Sequence, residues 1–173
     1  MKFYSGFSLQ NESYLFDKYA NTSEYCVSGF SYGAIKAFEY VQQQIALSKR
    51  VDTMQLFSPA FFQTQAEKFK RLQLMAYKKS EDAYLNQFID SCFSPYDKKI
   101  VQHTATAVEE LQELLNYEWD VEALNVIADK GVAIEVYLGG EDKIIDVASA
   151  REFFLKVATV TYIKNANHFL QIK

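Results

Sequence analysis

The sequence is poor in several features that define other classes of protein. Its two cysteines, Cys26 and Cys92, do not have the spacing of a metal site, and we expect neither a metal nor a cofactor. No apolar run reaches the roughly 18 residues of a transmembrane helix, so no membrane partner is expected. The formal charge of -4 argues against nucleic-acid binding. Residues 1–6 lack the apolar region of a signal peptide, so we expect a cytoplasmic protein with reduced thiols.

Glycine is also scarce, and its few positions are therefore informative. Two of the six glycines bracket a serine in Gly29-Phe30-Ser31-Tyr32-Gly33. This is the G-x-S-x-G pattern of a nucleophile elbow, where a sharp strand-to-helix turn exposes the serine oxygen. Gly139-Gly140 precedes Asp142, and Gly6 follows the first predicted strand. Five glycines thus lie where a serine hydrolase of the α/β-hydrolase fold needs tight turns.

Hydrophobic periodicity predicts strands that alternate with helices. The strands are expected at 2–4, 25–27, 53–57, 132–138 and 158–163, and the helices at 12–20, 34–45 and 148–157. This pattern predicts an α/β fold, a reduced α/β-hydrolase with a mostly parallel sheet of about five strands. Residues 60–129 indicate several helices, with Ser80 as an N-cap and a capping box at 106–109. We therefore expect a core of residues 1–59 and 130–173 with a helical cap inserted at 60–129.

Right-handed crossovers would gather the connecting helices on one face of this sheet. The other apolar face then needs a cover. The helical insertion, the C-terminal tail or a second subunit could supply it, so a homodimer remains open.

Three residues with catalytic chemistry follow predicted strands in the order Ser31, Asp142, His168. This is the chain order of the α/β-hydrolase triad, and the carboxyl ends of parallel strands are where such folds place their sites. Each residue also has an ordinary explanation: Ser31 and Asp142 could each cap a helix, and His168 could be a surface histidine. Their joint order and placement favour the triad.

The base and the acid of this triad each have competitors. A hydroxyl needs a base to remove its proton, and His168 follows a strand whereas His103 lies inside the helical block. Asp142 is expected to hold the histidine tautomer, and its spacing from the glycine turn is better than that of Glu141 or Asp146.

An oxyanion hole needs two backbone N–H groups. The first is expected from Tyr32, the residue after the nucleophile. The second is expected from the loop after the first strand, with Phe7 as the donor, although this loop could also be a simple turn.

With these residues assigned, the chain resembles the small pimeloyl-acyl-carrier-protein methyl ester esterases of biotin synthesis, of the BioV type. The resemblance covers most of the chain and depends on residues 3–7, 11–13, 27–37, 56–59, 69–74, 142–144 and 167–168. It implies a serine carboxylesterase that hydrolyses the methyl ester of a pimeloyl chain on acyl-carrier protein and releases methanol. The family's catalytic residues fall on Ser31, Asp142 and His168.

Two other functions stay open beside this one. The same triad could cleave the acyl–carrier thioester, or the chain could be a carrier-binding module without activity. The expected partner in each case is acyl-carrier protein, which in the first bears a pimeloyl methyl ester. A basic cluster in the predicted cap could dock this acidic partner or be a solvated helix face; it comprises Lys68, Lys70, Arg71 and Lys78.

Overall fold

The computed structural model describes residues 1–173. Its strands are β1 (Lys2–Tyr4), β2 (Leu9–Gln10), β3 (Cys26–Phe30), β4 (Thr53–Phe57), β5 (Gln102–His103), β6 (Ala133–Gly139) and β7 (Thr159–Ile163). Five of them form one parallel sheet in the order β1-β3-β4-β6-β7, and β2 pairs with β5 in a separate antiparallel ribbon. The predicted reduced α/β-hydrolase fold with about five parallel strands is confirmed.

Six helices connect these strands: α1 (Tyr32–Ala46), α2 (Glu67–Lys79), α3 (Glu81–Phe93), α4 (Val108–Asn116), α5 (Val121–Asp129) and α6 (Val147–Phe154). Helices α2 to α5 lie between β4 and β6 in the chain, and α5 contacts α1. The division into a core and a cap at residues 60 and 129 remains a prediction.

The helix starts in this insertion follow local capping chemistry. The Ser80 side chain accepts the Ala83 N–H at 3.4 Å, as predicted for an N-cap. The predicted capping box is displaced by one residue, because α4 begins at Val108 and the Glu110 carboxylate accepts the Ala107 N–H at 2.8 Å. Ala107 has no side-chain oxygen to complete the box.

One face of the sheet packs on α1, α5 and α6. Alternate strand residues such as Met54, Leu56 and Val136 point into this core and are fully buried. Because a strand alternates its side chains between two faces, the intervening residues point to the opposite side.

The second face is covered by three separate segments that each contribute phenylalanine. Phe16 stacks on Phe57 of β4 with ring centroids 4.8 Å apart. Phe169, from the C-terminal tail, stacks on Phe30 of β3 at 4.8 Å and contacts Phe93 of α3 at 4.4 Å. The insertion and the tail, two of the expected candidates, thus share this role with the segment after β2.

The prediction of a helix over residues 12–20 is wrong. Only a single 3-10 turn forms, at Ser13–Phe16. Asn11, before this turn, has a φ of 64° in the left-handed region, so it does not start a helix. Burial of Phe16, which is 0% exposed and stacks on Phe57, holds the segment against the sheet instead.

Candidate active site

Ser31 lies in a sharp turn between β3 and α1. Its φ of 53° is unusual for a residue with a side chain, which is the strain expected of a nucleophile elbow. Two glycines permit this turn. A Cβ atom on Gly29 would lie 2.1 Å from the Gly33 carbonyl oxygen, and one on Gly33 would lie 2.1 Å from the Tyr4 carbonyl oxygen.

The three residues of the predicted triad lie together and are joined by hydrogen bonds. The Ser31 Oγ atom is 3.0 Å from His168 Nε2, and His168 Nδ1 is 2.6 Å from Asp142 Oδ2. The side chains of His168 and Asp142 are fully shielded from solvent. These distances lie in the range that permits proton transfer from the serine to the imidazole.

The structure distinguishes Asp142 from its competitors. Asp142 Oδ1 accepts the Ile144 N–H at 2.7 Å, which leaves Oδ2 aimed at His168. Asp146 instead caps α6 by accepting the Ser149 N–H at 3.1 Å. Glu141 makes no hydrogen bond to the histidine, so Asp142 is the acid that contacts the imidazole.

The two histidines have different environments. His103 is exposed in β5 and lies outside the triad. His168 packs on Phe30 with ring centroids 4.9 Å apart. The loop that carries His168 is fixed by Asn167, whose Oδ1 accepts the Phe169 N–H at 3.0 Å and whose Nδ2 donates to the Phe93 carbonyl at 2.8 Å. Asn167 was given no role from the sequence, although asparagine beside a turn is a common signal of such bonds.

Both candidate oxyanion donors border the elbow. Tyr32 is the first residue of α1, and its N–H therefore has no partner within the helix. The Phe7 N–H donates to no group of the protein. The loop before Phe7 touches the elbow, because a Cβ atom on Gly33 would lie 2.5 Å from the Ser5 carbonyl oxygen.

A cavity of about 500 Å³ lies beside these residues. It is lined by Phe7 and by Ile144, two residues after Asp142, and extends between α2, α3 and α4. Of the aromatic residues in the insertion, four line it: Phe62, Phe69, Tyr84 and Phe88. Its size and mostly apolar wall suit a small acyl group.

The predicted basic cluster divides in two. Lys68, Arg71 and Lys78 are exposed on α2. The prediction that Lys70 belongs to an exposed docking cluster is wrong. Lys70 is only 7% exposed, and its Nζ lies 3.2 Å from Glu67 Oε1. Leu72 on the same helix is 51% exposed and also lines the cavity, and it follows Arg71 directly in the chain.

A polar clasp joins the elbow helix α1 to α4. The Tyr32 hydroxyl donates to Glu113 at 2.6 Å, and Lys36 Nζ donates to the same carboxylate at 2.6 Å. Burial raises the pKa of Tyr32 to about 12, and the bond to Glu113 adds to that shift. Burial alone would raise the pKa of Glu113, but the bonds from Lys36 and Tyr32 outweigh it and lower that pKa.

Two observations concern the remaining sequence features. Cys26 and Cys92 are both free thiols in buried positions. None of the helices combines the length and the apolar character that a membrane crossing requires.

Comparisons with solved structures place the chain in a structural context. It is similar to E-2-(acetamidomethylene)succinate hydrolase, with a TM-score of 0.58 and 13% identity over 97% of this chain and 84% of that one. It is also similar to naproxen esterase from Bacillus subtilis, with a TM-score of 0.53, 20% identity and 95% of this chain covered. Its similarity to carboxylesterase CesB from Bacillus subtilis has a TM-score of 0.56, with 15% identity and 94% of this chain covered.

This chain spans 62% of the length of each of the two Bacillus esterases. No family model matches it, and neither does any curated protein sequence. At such low identity, the similarity establishes the fold: the chain has the α/β-hydrolase fold.

Proposed function

We propose that this protein is a serine carboxylesterase that hydrolyses the methyl ester of pimeloyl-acyl-carrier-protein methyl ester in biotin synthesis. The observation that carries the proposal is the Ser31–His168–Asp142 chain of hydrogen bonds, at 3.0 and 2.6 Å, beside an apolar cavity. A buried, mutually oriented serine, imidazole and carboxylate are the arrangement that activates a hydroxyl for acyl transfer.

The first half of the reaction forms an acyl-enzyme. Ser31 Oγ attacks the ester carbonyl carbon while His168 Nε2 takes the hydroxyl proton. Asp142 accepts the Nδ1–H bond and stabilises the imidazolium that results. The carbonyl oxygen becomes an oxyanion bound by the Phe7 and Tyr32 N–H groups. As the C–O bond to the methoxy group breaks, His168 returns the proton to that oxygen and methanol leaves.

The second half repeats these steps with water. His168 takes a proton from a water molecule, whose oxygen attacks the acyl-enzyme at the same carbon. The tetrahedral intermediate collapses, and the proton on His168 passes to Ser31 Oγ. The products are the free carboxylate on the carrier-bound chain and the regenerated serine.

The substrate assignment draws on the sequence resemblance and on the surroundings of the site. The cavity of about 500 Å³ offers an apolar environment for the methylene chain, with Phe62 and Phe88 among its lining. Leu72 is an exposed residue of its lining, and Lys68 and Arg71, which are neighbours of Leu72 on α2, provide positive charge on that helix. An acidic carrier protein bound there would be steered by opposite charge while its acyl chain enters the cavity.

Mass spectrometry of the carrier protein after incubation with the enzyme tests this proposal directly. Loss of one methyl group from methyl-pimeloyl carrier, with release of methanol, is the expected result. Ser31→Ala is the matched control and should give no product. Release of a free carrier thiol would assign the thioesterase reaction instead.

Reaction with a fluorophosphonate probe separates the enzyme from a carrier-binding module. The probe should modify the wild-type protein at Ser31 and leave Ser31→Ala unmodified. Carrier binding without probe reaction or turnover would support the module and overturn the proposed activity.

A further inference from the structure

A buried carboxyl group lies directly behind the candidate oxyanion loop. Glu12 is 0% exposed, and its Oε1 accepts the Gly6 N–H at 2.8 Å. Its Oε2 is buried without a hydrogen-bond partner, and Glu12 takes part in no ion pair. Burial raises the pKa of Glu12, whereas the Gly6 N–H, the backbone of Glu12 itself and the nearby Ser5 hydroxyl oppose that shift. A buried carboxyl group without a cation destabilises the fold, which calls for a functional explanation.

The contacts of Gly6 fix the direction of the next N–H group. The Gly6 carbonyl accepts the Leu9 N–H at 3.1 Å. In a planar trans peptide the C=O and N–H bonds point in opposite directions, so the Phe7 N–H points away from Leu9. Since Glu12 holds the N–H of Gly6 and Leu9 holds its C=O, both polar groups of this glycine are fixed.

The far end of the loop is anchored to the ribbon formed by β2 and β5. The Ser8 hydroxyl donates to the Thr104 carbonyl at 3.0 Å, and the Thr104 N–H donates to the Ser8 carbonyl at 3.1 Å. Phe7 therefore lies between two anchors, and its N–H, like that of Ser8, makes no hydrogen bond within the protein. Of these anchors, Glu12 is the one whose side chain contacts the residue directly before Phe7.

The local backbone explains how an acidic side chain reaches this place. Glu12 precedes the 3-10 turn, and its carbonyl accepts the Leu15 N–H at 3.0 Å. Phe16 in that turn is 0% exposed and stacks against Phe57. The packing of Phe16 thus holds Glu12 with its side chain inside the protein.

We propose that Glu12 is a positioning residue, which holds Gly6 so that the Phe7 N–H faces the oxyanion of the transition state. This inference rests on the proposed esterase function, because it assigns a role in the same site. Glu12 does not touch the substrate and acts through the Ser5–Gly6 peptide, whose N–H it holds one residue before that of Phe7. Its effect should therefore appear in kcat, because an oxyanion is present in the transition state and absent from the bound ester.

Three variants separate the reach of this side chain from its charge. Glu12→Gln keeps an acceptor oxygen at the same distance without the charge. Glu12→Asp keeps the charge but is one methylene too short to reach the Gly6 N–H. Glu12→Ala removes the acceptor. Asp17→Ala is the matched control, because it removes an exposed carboxylate from the same segment.

We expect activity to depend on whether the side chain at position 12 can accept the Gly6 N–H. Glu12→Ala and Glu12→Asp should lower kcat on a small ester by at least tenfold, toward the 10²–10³ expected for loss of one oxyanion donor, with KM changed less than about threefold. Glu12→Gln and Asp17→Ala should stay within about threefold of wild type. If Glu12→Ala does not fold, the comparison of Asp with Gln still tests the proposal.

Three outcomes would overturn the proposal. The first is an unchanged kcat in a folded Glu12→Asp protein. The second is equal impairment of the Gln and Asp variants, which would show that charge or general packing matters and reach does not. The third is a rise in KM with kcat intact. Failure of the esterase function itself would look different, because wild type would then neither hydrolyse esters nor react at Ser31 with a fluorophosphonate.

Discussion

The clasp between Tyr32, Lys36 and Glu113 should hold the wall of the cavity against the elbow helix. Glu113 belongs to α4, whose residues Leu111 and Leu114 line the cavity. Its carboxylate accepts hydrogen bonds from two residues of α1, each at 2.6 Å. Glu113→Ala removes both bonds at once and leaves the backbone N–H of Tyr32 in place. We expect a less stable protein with a loosened cavity.

The size of the effect is estimated from the exposure of each partner. Tyr32 is 7% exposed, so its bond to a charged acceptor contributes about 1.5 kcal/mol. The Lys36 and Glu113 side chains are 33% and 39% exposed, so solvent screening limits their ion pair to about 0.5 kcal/mol. Glu113→Ala should therefore lower the free energy of unfolding by about 2 kcal/mol.

Urea unfolding of single and double variants measures these two contributions separately. The cycle of Tyr32→Phe with Glu113→Ala should give a coupling energy of about 1.5 kcal/mol, and that of Lys36→Met with Glu113→Ala about 0.5 kcal/mol. Steady-state kinetics should show a severalfold rise in KM with little change in kcat. Coupling energies near zero would refute the reasoning, because they would mean that the three side chains do not act together.

The clasp also predicts a pH dependence of stability. The pKa of Glu113 is lower in the folded protein than in the unfolded chain, where a glutamate titrates near about 4.3. The stabilisation is therefore fully present above that value and is lost as the pH falls through the folded-state pKa. The stability difference between wild type and Glu113→Ala should be constant near neutral pH and shrink below about pH 4.

The remaining predictions concern the site, the basic residues of α2 and the support of the sheet. Asp142→Asn should lower kcat by on the order of 10⁴ through the wrong imidazole tautomer. Asp146→Asn, which affects the cap of α6, should change thermal stability and leave kcat near wild type. Lys68→Glu with Arg71→Glu should raise KM for the carrier substrate about tenfold and leave hydrolysis of a small ester unchanged; equal loss on both substrates would contradict docking. Phe16→Ala should cost about 3–5 kcal/mol in urea unfolding, since Phe16 covers the second face of the sheet.

Strong local signals made part of this structure predictable. The strands at 2–4 and 53–57 match β1 and β4, because short apolar runs between turn residues have few alternatives. The elbow could be located from its glycines, because glycine is scarce in this chain. Only residues without a Cβ allow contacts as close as that of Gly29 with Gly33. The order of Ser31, Asp142 and His168 then placed three side chains at one edge of the sheet, where their hydrogen bonds are found.

Tertiary contacts determine the features that the sequence analysis did not anticipate. The helical periodicity of 12–20 was outweighed by burial of Phe16 on the sheet, which is a contact between distant segments. Lys70 has the positive charge expected of a docking residue, but its orientation on α2 buries it beside Glu67. Glu12 belongs to the resemblance at residues 11–13 but was given no role, because a buried glutamate is indistinguishable from an exposed one until the fold places Gly6 beside it.

The small size of the sheet follows from what the candidate site needs. Tyr4, Phe30, Phe57 and Gly139 lie at aligned strand ends, because the register pairs Tyr4 with Gly29, Phe30 with Phe57 and Gly139 with Ile163. Four strands carry site groups at those ends: β1 the oxyanion loop, β3 the serine, β6 the aspartate and β7 the histidine. The fifth, β4, lies between β3 and β6, and its Phe57 carbonyl accepts the Ser31 N–H at 3.0 Å. Removal of any one of the five strands would therefore separate or lose a group of the site, so this sheet is close to the minimum that can hold such a triad.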